Sequence, residues 1–399
     1  MQRSRSSTGG TGATPRTTAR SRSLTCRVVA VPAPRRPSAP RHPSAPLTAH
    51  APDTGVDPDT DTVFANGSDP TATVTMQVAG SASAIEPGTV VGNYRVVELL
   101  ATGGMGEVFR GEHIHLGHPV AIKFLHRRLI GNGDAMARFA AEARAISRIR
   151  HPGVVALFDF GPHGDGAYLV MELLEGETLT DRMAESGPLP PALVIDIGLQ
   201  LAEALAAAHA TGVVHRDLKP DNIVLVPDRM RPARERAVLV DFGVAKVAAG
   251  LHPPLHTLHG DLLGTPYYMA PEQSVSAPAV DHRSDVYSLG CVLYRLLSGQ
   301  VPFGGQLMDI LLAHQNRAPE PLRSIDPYIP VELEALVAHM MAKSPRDRPQ
   351  DMYRVARALA HIAERTRERR WRRTRATWLG AALAAAALAV AGLGHFAAW

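Results

Sequence analysis

The sequence has very little cysteine: Cys26 and Cys291 are the only two among 399 residues. Two cysteines cannot form the disulfide network of small secreted domains, so the folded part is expected in a reducing compartment. Acidic side chains are absent from the first 50 residues, although these contain nine arginines. Because no apolar stretch follows these arginines, the sequence argues against a secretory signal peptide.

A sustained apolar period is also missing from residues 1–91, which are rich in Ser, Thr, Pro, Ala, Arg and Gly. Such a segment cannot bury enough apolar surface to offset the entropy lost on ordering. We therefore predict a disordered tail, with order beginning near Gly92. Two alternatives are an organelle transit peptide, which the arginine-rich start superficially resembles, and a translation start at Met76.

Charge is absent again at the other end, from Trp378 to Trp399, after a basic segment at 366–376. As a helix these 22 residues would span about 33 Å, enough for the hydrocarbon layer of a membrane. The arginines before it predict that the upstream chain stays on the cytoplasmic side. We expect a single-pass transmembrane helix over 377–399. The alternative is an alanine-rich soluble helix that packs on a partner.

The residues between these ends show regular periodicity. Alternation predicts a strand over 94–100, the residue pattern predicts four more over 107–112, 119–125, 154–160 and 167–173, and helical spacing predicts a helix over 135–148. Beyond Gly176 the pattern predicts mainly helices, over 192–210, 284–298, 306–315, 331–342 and 351–370.

Two short runs concentrate polar side chains with complementary chemistry. His215 to Asn222 reads His-Arg-Asp-Leu-Lys-Pro-Asp-Asn, and Asp241 is followed by Phe-Gly. The first run offers a base (Asp217), a cation (Lys219) and an amide that can bind a metal (Asn222). The second offers a metal-binding carboxylate. These groups suffice to move a phosphoryl group from a Mg²⁺-bound nucleotide to a hydroxyl.

Both runs, in this order, resemble the catalytic and magnesium loops of protein kinases, specifically the bacterial Hanks-type (eukaryotic-like) Ser/Thr kinases. The segment from Gly264 to Glu272 resembles the substrate-facing loop of that family. The resemblance covers about 92–365. It implies an α+β, bilobal fold, in which a five-stranded antiparallel sheet with one helix precedes a larger, mainly helical lobe.

The resemblance implies a role for each catalytic position. Asp217 would accept the proton of the substrate hydroxyl, and Lys219 would neutralise the transferring phosphate; its residue type favours Ser/Thr over Tyr specificity. Asn222 and Asp241 would bind Mg²⁺, with Mn²⁺ as an alternative. Lys123, in Val-Ala-Ile-Lys, would hold the ATP phosphates and pair with Glu142.

The same resemblance implies a nucleotide pocket in which ATP contacts a glycine-rich turn, two apolar strand positions and a hinge. Ala101 stands where the family has its first glycine, which leaves the ATP affinity open. The implied residues are Ala101, Gly103, Gly106, Val108, Ala121, Lys123, Met171, Glu172, Leu174 and Val224.

Further contacts follow from the resemblance. Glu272 would pair with Arg348, and Asp285 would anchor the catalytic loop. Thr265 would hydrogen-bond Asp217 and Lys219. Thr257 is the candidate site of activating phosphorylation. The implied partners are proteins with Ser or Thr hydroxyls, and a second copy of the chain for trans-autophosphorylation.

Other functions are less consistent with the sequence. A pseudokinase scaffold is disfavoured by the intact catalytic set, and a small-molecule phosphotransferase by the complete loop that ends at Glu272. The histidines at 252, 256 and 259 suggest zinc only weakly, because Pro253-Pro254 breaks any helix that would align them. The arginine clusters favour anionic lipid over nucleic acid. The expected location is the inner membrane, with the kinase domain in the cytoplasm.

Overall fold

The computed structural model describes residues 85–103, 106–125, 133–231, 233–243, 266–275 and 280–368. The predictions for the tail up to residue 84, for Thr257, Thr265 and the three histidines, and for the span over 377–399 lie outside these residues.

The smaller lobe contains an antiparallel sheet of six strands in the order β1-β2-β3-β4-β6-β5. The five predicted strands are present, and β1 adds a sixth at the edge, inside the segment assigned to the tail. Ile85 packs against the same lobe, so the ordered chain begins before Gly92. The strands are β1 Val90–Val91, β2 Tyr94–Gly103, β3 Gly106–His113, β4 Pro119–Leu125, β5 Leu157–His163 and β6 Gly166–Glu172.

The hairpin between β2 and β3 depends on glycine at its tip. Gly103 and Gly106 are register partners there, and Gly106 has a φ of +153°. A Cβ built on Gly106 would overlap the carbonyl oxygen of Phe124 on β4. Only glycine therefore allows β3 to begin this close to β4.

Eight α-helices occur within the described ranges. They are α1 Gly133–Ile146, α2 Leu179–Ser186, α3 Pro191–Ala210, α4 Arg283–Ser298, α5 Leu307–Asn316, α6 Leu322–Ile325, α7 Val331–Met340 and α8 at 352–368. The apolar spacing of α1 places Phe139, Ala143 and Ile146 in the core, where Phe139 packs edge-on against Phe160 of β5.

Helices α3 and α4 form the centre of the larger lobe. α3 packs against α4 and the small sheet described below, and α4 also packs against α7. Of the helices that the structure describes, α3 has the length and hydropathy to cross a membrane, but most of it is buried inside this lobe. Its apolar character is therefore explained by core packing.

A second sheet of three short strands lies next to the two polar runs in the sequence. Its strands are β7 Glu177–Thr178, β8 Ile223–Pro227 and β9 Glu235–Leu239. Sequence periodicity did not predict them. β8 starts directly after Asn222 and pairs antiparallel with β9, which ends shortly before Asp241. The amide of Val240 donates to the carbonyl of Asn222 at 2.9 Å, so the two runs lie side by side.

Candidate active site

The catalytic-loop residues predicted from the first run converge in the structure. The Nδ2 atom of Asn222 donates to the carbonyl oxygen of Asp217 at 2.8 Å and approaches its Oδ2 at 3.4 Å. The Nζ atom of Lys219 lies 3.7 Å from the same carboxylate. A cation and an amide thus both contact the candidate base.

Lys123 and Asp241 form a close ion pair between the two lobes. The distance from Nζ to Oδ1 is 2.6 Å, and Lys123 is 8% exposed on β4. Asp241 has a φ of +56°, which is uncommon for a residue with a side chain. Such conformations cost about 1–3 kcal/mol and cluster at functional sites. Asp241 is therefore held by its surroundings rather than by local preference.

The predicted partnership of Lys123 with Glu142 is not present in this structure. Within the described residues no ion pair joins them, and Asp241 supplies the carboxylate that a buried ammonium requires. Glu142 lies on α1, where burial raises the pKa of its carboxyl and the positive charge of Arg216 partly opposes this rise. The carboxyl of Glu142 therefore interacts electrostatically with Arg216 of the catalytic loop.

Asp285 anchors the catalytic loop, as predicted. It is fully buried on α4 and accepts hydrogen bonds from the backbone amides of His215 and Arg216, at 2.8 and 2.9 Å, and contacts the Nε2 atom of His209 at 2.8 Å. Burial by itself would raise the pKa of Asp285, but the hydrogen bonds from His209 and from the backbone amide of His215 hold it below the ordinary value. The anchor is therefore a carboxylate.

His215 joins the two polar runs, a role that the sequence reasoning did not assign. Burial lowers the pKa of its imidazole, which favours the neutral form. The Nε2 atom lies 3.2 Å from the carbonyl of Val240, and the Nδ1 atom accepts from the amide of Asp217 at 3.3 Å. Its ring also packs on Phe242, with 4.6 Å between centroids. The neutral Nε2–H tautomer satisfies both contacts.

Several residues predicted to line the nucleotide pocket lie on neighbouring strands. Ala101 pairs with Val108 across the β2–β3 hairpin, and Ala121 of β4 pairs with Met171 of β6. Met171 packs against an apolar cluster that contains Leu174 and Val224. Glu172 is the last residue of β6, and its amide donates to Ala156. The pairing of β4 with β6 therefore brings Ala121 of the first strands next to Met171, which leads into the predicted hinge.

The donor set near Asp217 suits a magnesium ion bound together with phosphates. Asn222 uses its Nδ2 atom toward Asp217, which leaves the amide oxygen as a ligand atom, and Asp241 adds a carboxylate. No cluster of three or more His, Cys, Asp or Glu side chains with metal-binding geometry occurs within the described ranges. Two oxygen ligands are what Mg²⁺ uses when the substrate supplies the rest.

The end of the substrate-facing segment is fixed by a buried ion pair, as predicted. Arg348, whose side chain is fully buried, donates to both carboxylate oxygens of Glu272, at 2.7 and 2.8 Å. Ser284 adds a hydrogen bond of 2.7 Å to the same carboxylate. The hydrogen bonds from Arg348 outweigh the effect of burial and lower the pKa of Glu272. The segment is therefore tied rigidly to α4.

The sequence around this site matches a known family. Residues 94–362 match the protein kinase domain family. The chain belongs to the protein kinase family. The match covers both lobes and every residue described in this site, and it supports the general use of ATP and a divalent metal.

Several curated proteins that are similar to this kinase domain are bacterial. It is 45% identical over 273 residues to serine/threonine-protein kinase pkn2 of Myxococcus xanthus, which covers 67% of this chain and 32% of that protein. It is 37% identical to PknL of Mycobacterium tuberculosis, over 72% of this chain and 70% of that one. The chain spans about a third to a half of the length of the first three curated relatives.

The fold also agrees with a solved kinase. The crystal structure of the Mycobacterium tuberculosis PknI kinase domain matches with a TM-score of 0.56 and 27% identity, over 70% of this chain and 99% of that one. The protein kinase fold predicted from the sequence is thereby confirmed.

Proposed function

We propose that this chain is an active serine/threonine protein kinase that transfers the γ-phosphate of ATP to protein hydroxyls in bacterial signal transduction. The observation that carries the proposal is the contact between Asp217, Lys219 and Asn222 beside the Lys123–Asp241 pair. A pseudokinase scaffold would not need all five side chains in one place. The relatives, named as serine/threonine-protein kinases, support the same activity.

The geometry supports a division of labour. The carboxylate of Asp217 would orient the substrate hydroxyl and accept its proton, while Lys219 beside it stabilises negative charge on the transferring group. Asn222 and Asp241 would hold Mg²⁺, which neutralises charge on the phosphate oxygens. Lys123 would bind the phosphates of ATP, which would compete with Asp241 for the Lys123 ammonium group. Glu142 would then be a second carboxylate partner of Lys123.

An assay of the full chain with γ-labelled ATP tests this proposal. We expect label on Ser and Thr of the chain itself and of histone H1 as a protein probe, and loss of labelling when EDTA removes the metal. The initial rate of self-labelling should rise faster than linearly with chain concentration, because we propose that one copy phosphorylates another.

Three results would contradict the proposal. Binding of ATP without transfer would favour the pseudokinase, and label found only in small molecules would favour the other rival. Transfer that persists in EDTA would exclude a role for Asn222 and Asp241 as metal ligands. Replacing Mg²⁺ by Mn²⁺ in the same assay tests the alternative metal.

We also propose that residues 377–399 anchor the kinase in the inner membrane as a single-pass helix, with the kinase domain in the cytoplasm. The proposal is supported by the uncharged run from Trp378 to Trp399 and by the seven arginines at 365–375. Tryptophans suit the two interfaces, and basic residues suit the cytoplasmic face. Each arginine close to anionic headgroups would add about 1 kcal/mol.

Deleting 376–399 should move the protein from the membrane fraction to the soluble fraction and leave its kinase activity intact, because the residues assigned to chemistry lie upstream. Fractionation in high salt and in carbonate is the measurement. The matched control deletes the tail 1–75 instead and should remain in the membrane. A full-length chain that carbonate extracts would not be anchored by this segment.

A further inference from the structure

One side chain connects the substrate-facing segment to the catalytic loop. Gln273 follows Pro271 and Glu272 in a short turn, Pro271–Ser274, and is half-buried. Its Oε1 atom accepts a hydrogen bond from the amide of Ala270 at 2.9 Å. Its Nε2 atom donates to the carbonyl oxygen of Arg216 at 3.0 Å, 57 residues away in sequence. The amide group therefore spans the gap between the two segments.

The residue that receives this hydrogen bond is strained. Arg216 has a φ of +60°, a left-handed conformation that costs a residue with a side chain roughly 1–2 kcal/mol. Its amide is held by the carboxylate of Asp285, and its carbonyl by Gln273. That carbonyl belongs to the peptide group that leads directly into Asp217. The two contacts together fix the orientation of the backbone from which the proposed base projects.

The turn that carries Gln273 is itself firmly supported. On one side, Ala270 is fully buried, and on the other, Glu272 is held by Arg348. The hydroxyl of Ser274 donates to the carbonyl of Pro271 and accepts from the Nε2 atom of Gln315 on α5, at 2.9 Å. A side chain on such a support can position another segment, because its own alternatives are restricted.

We propose that Gln273 is a positioning residue for phosphoryl transfer, which sets Asp217 relative to the hydroxyl presented by the substrate-facing segment. The proposal rests on the proposed kinase activity. The amide group of Gln273 thus fixes the position of the substrate-facing segment relative to the catalytic loop, which carries the base. We expect this contact to affect nucleotide binding little, because Lys123 and the glycine-rich turn, which would contact the phosphates, belong to the other lobe.

The decisive variant is Gln273→Glu in the full chain. It keeps the size of the side chain and the acceptor for Ala270, but it turns the donor toward Arg216 into a second acceptor. Gln315→Glu makes the same chemical change on the other side of the same turn, where the partner is the hydroxyl of Ser274, and is the matched control. Both variants are compared with wild type in melting temperature to confirm that they fold.

We expect the transfer rate of Gln273→Glu, measured in a single turnover with histone H1 and saturating ATP, to fall about tenfold, with a KM for ATP within about twofold of wild type. Protonation of the introduced carboxyl restores a donor, so the deficit should shrink as the pH falls from about 8 to about 5. Gln315→Glu should stay within about twofold of wild type. If the side chain only stabilised the fold, the substitution would not lower the transfer rate at an unchanged KM for ATP, and the deficit would not depend on pH in this way.

A second readout does not require activity. Hydrogen–deuterium exchange of peptides that cover 213–219 should accelerate in Gln273→Glu and remain as in wild type in Gln315→Glu. An inactive wild type in which this difference persists would refute the kinase activity and retain the positioning contact. Equal exchange, or an unchanged transfer rate in an active enzyme, would overturn the proposal for Gln273.

Discussion

Asp241→Asn is expected to lower the rate of phosphoryl transfer by at least about 10²-fold while the kinase domain stays folded. The substitution keeps the size of the side chain but removes the charge that would hold Mg²⁺ and that pairs with Lys123 at 2.6 Å. Removing one preorganised electrostatic contact from an active site commonly costs about 10²–10³ in kcat. Lys123→Met should have a similarly large effect, because it removes the cation expected to bind the phosphates.

Single-turnover labelling with γ-labelled ATP measures both variants. The matched control is Asp228→Asn, at the far end of the β8–β9 hairpin, where the carboxylate accepts from the amide of Met230 and pairs loosely with Arg231. This control should label at the wild-type rate. Turnover by Asp241→Asn or Lys123→Met close to that of wild type would refute the assigned chemistry.

Arg348→Leu is expected to lower the free energy of unfolding by about 3–5 kcal/mol. The substitution leaves the carboxylate of Glu272 without its bidentate partner and the carbonyls of Ala342, Arg283 and Lys343 without their donor. Breaking a buried pair by removing one member typically has a cost of this size. In a domain this large, the melting temperature should fall by about 6–20 °C.

The dependence on pH separates this effect from lost packing. Because the pKa of Glu272 is lowered in the folded state, its stabilisation is present above the unfolded carboxyl pKa and lost as the pH falls. The difference between Arg348→Leu and wild type should therefore shrink below about pH 4. Arg354→Leu, which removes an exposed pair with Asp351, should cost less than about 1 kcal/mol. Equal melting of both variants would contradict the prediction.

Features that depend on residues close together in the sequence could be predicted from it. The polar runs identified Asp217, Asn222 and Asp241, and a short, mostly apolar run placed β4 at the observed bounds, because both faces of this strand are buried. The sequence also predicted the Glu272–Arg348 pair through the family resemblance, although the two residues are 76 positions apart.

Periodicity could not reveal contacts that arise only in three dimensions. A strand of two residues, such as β7, is too short to show alternation, and the single apolar stretch of β8 does not distinguish strand from helix. Whether Lys123 forms an ion pair with Glu142 or with Asp241 depends on where α1 lies relative to the sheet. Likewise, a glutamine after Pro271 and Glu272 carries no sign that it reaches Arg216.

The antiparallel pairing of β8 with β9 has a practical consequence for engineering the chain. The two proposed metal ligands sit at the open end of this hairpin, and their separation is set by the register Ile223 to Leu239. The closed end lies at 228–234, where Met230 is 92% exposed. Extra residues inserted there lengthen only the closed end. This connection is therefore a suitable place for a peptide tag or a fluorescent label that reports on the kinase without altering its chemistry.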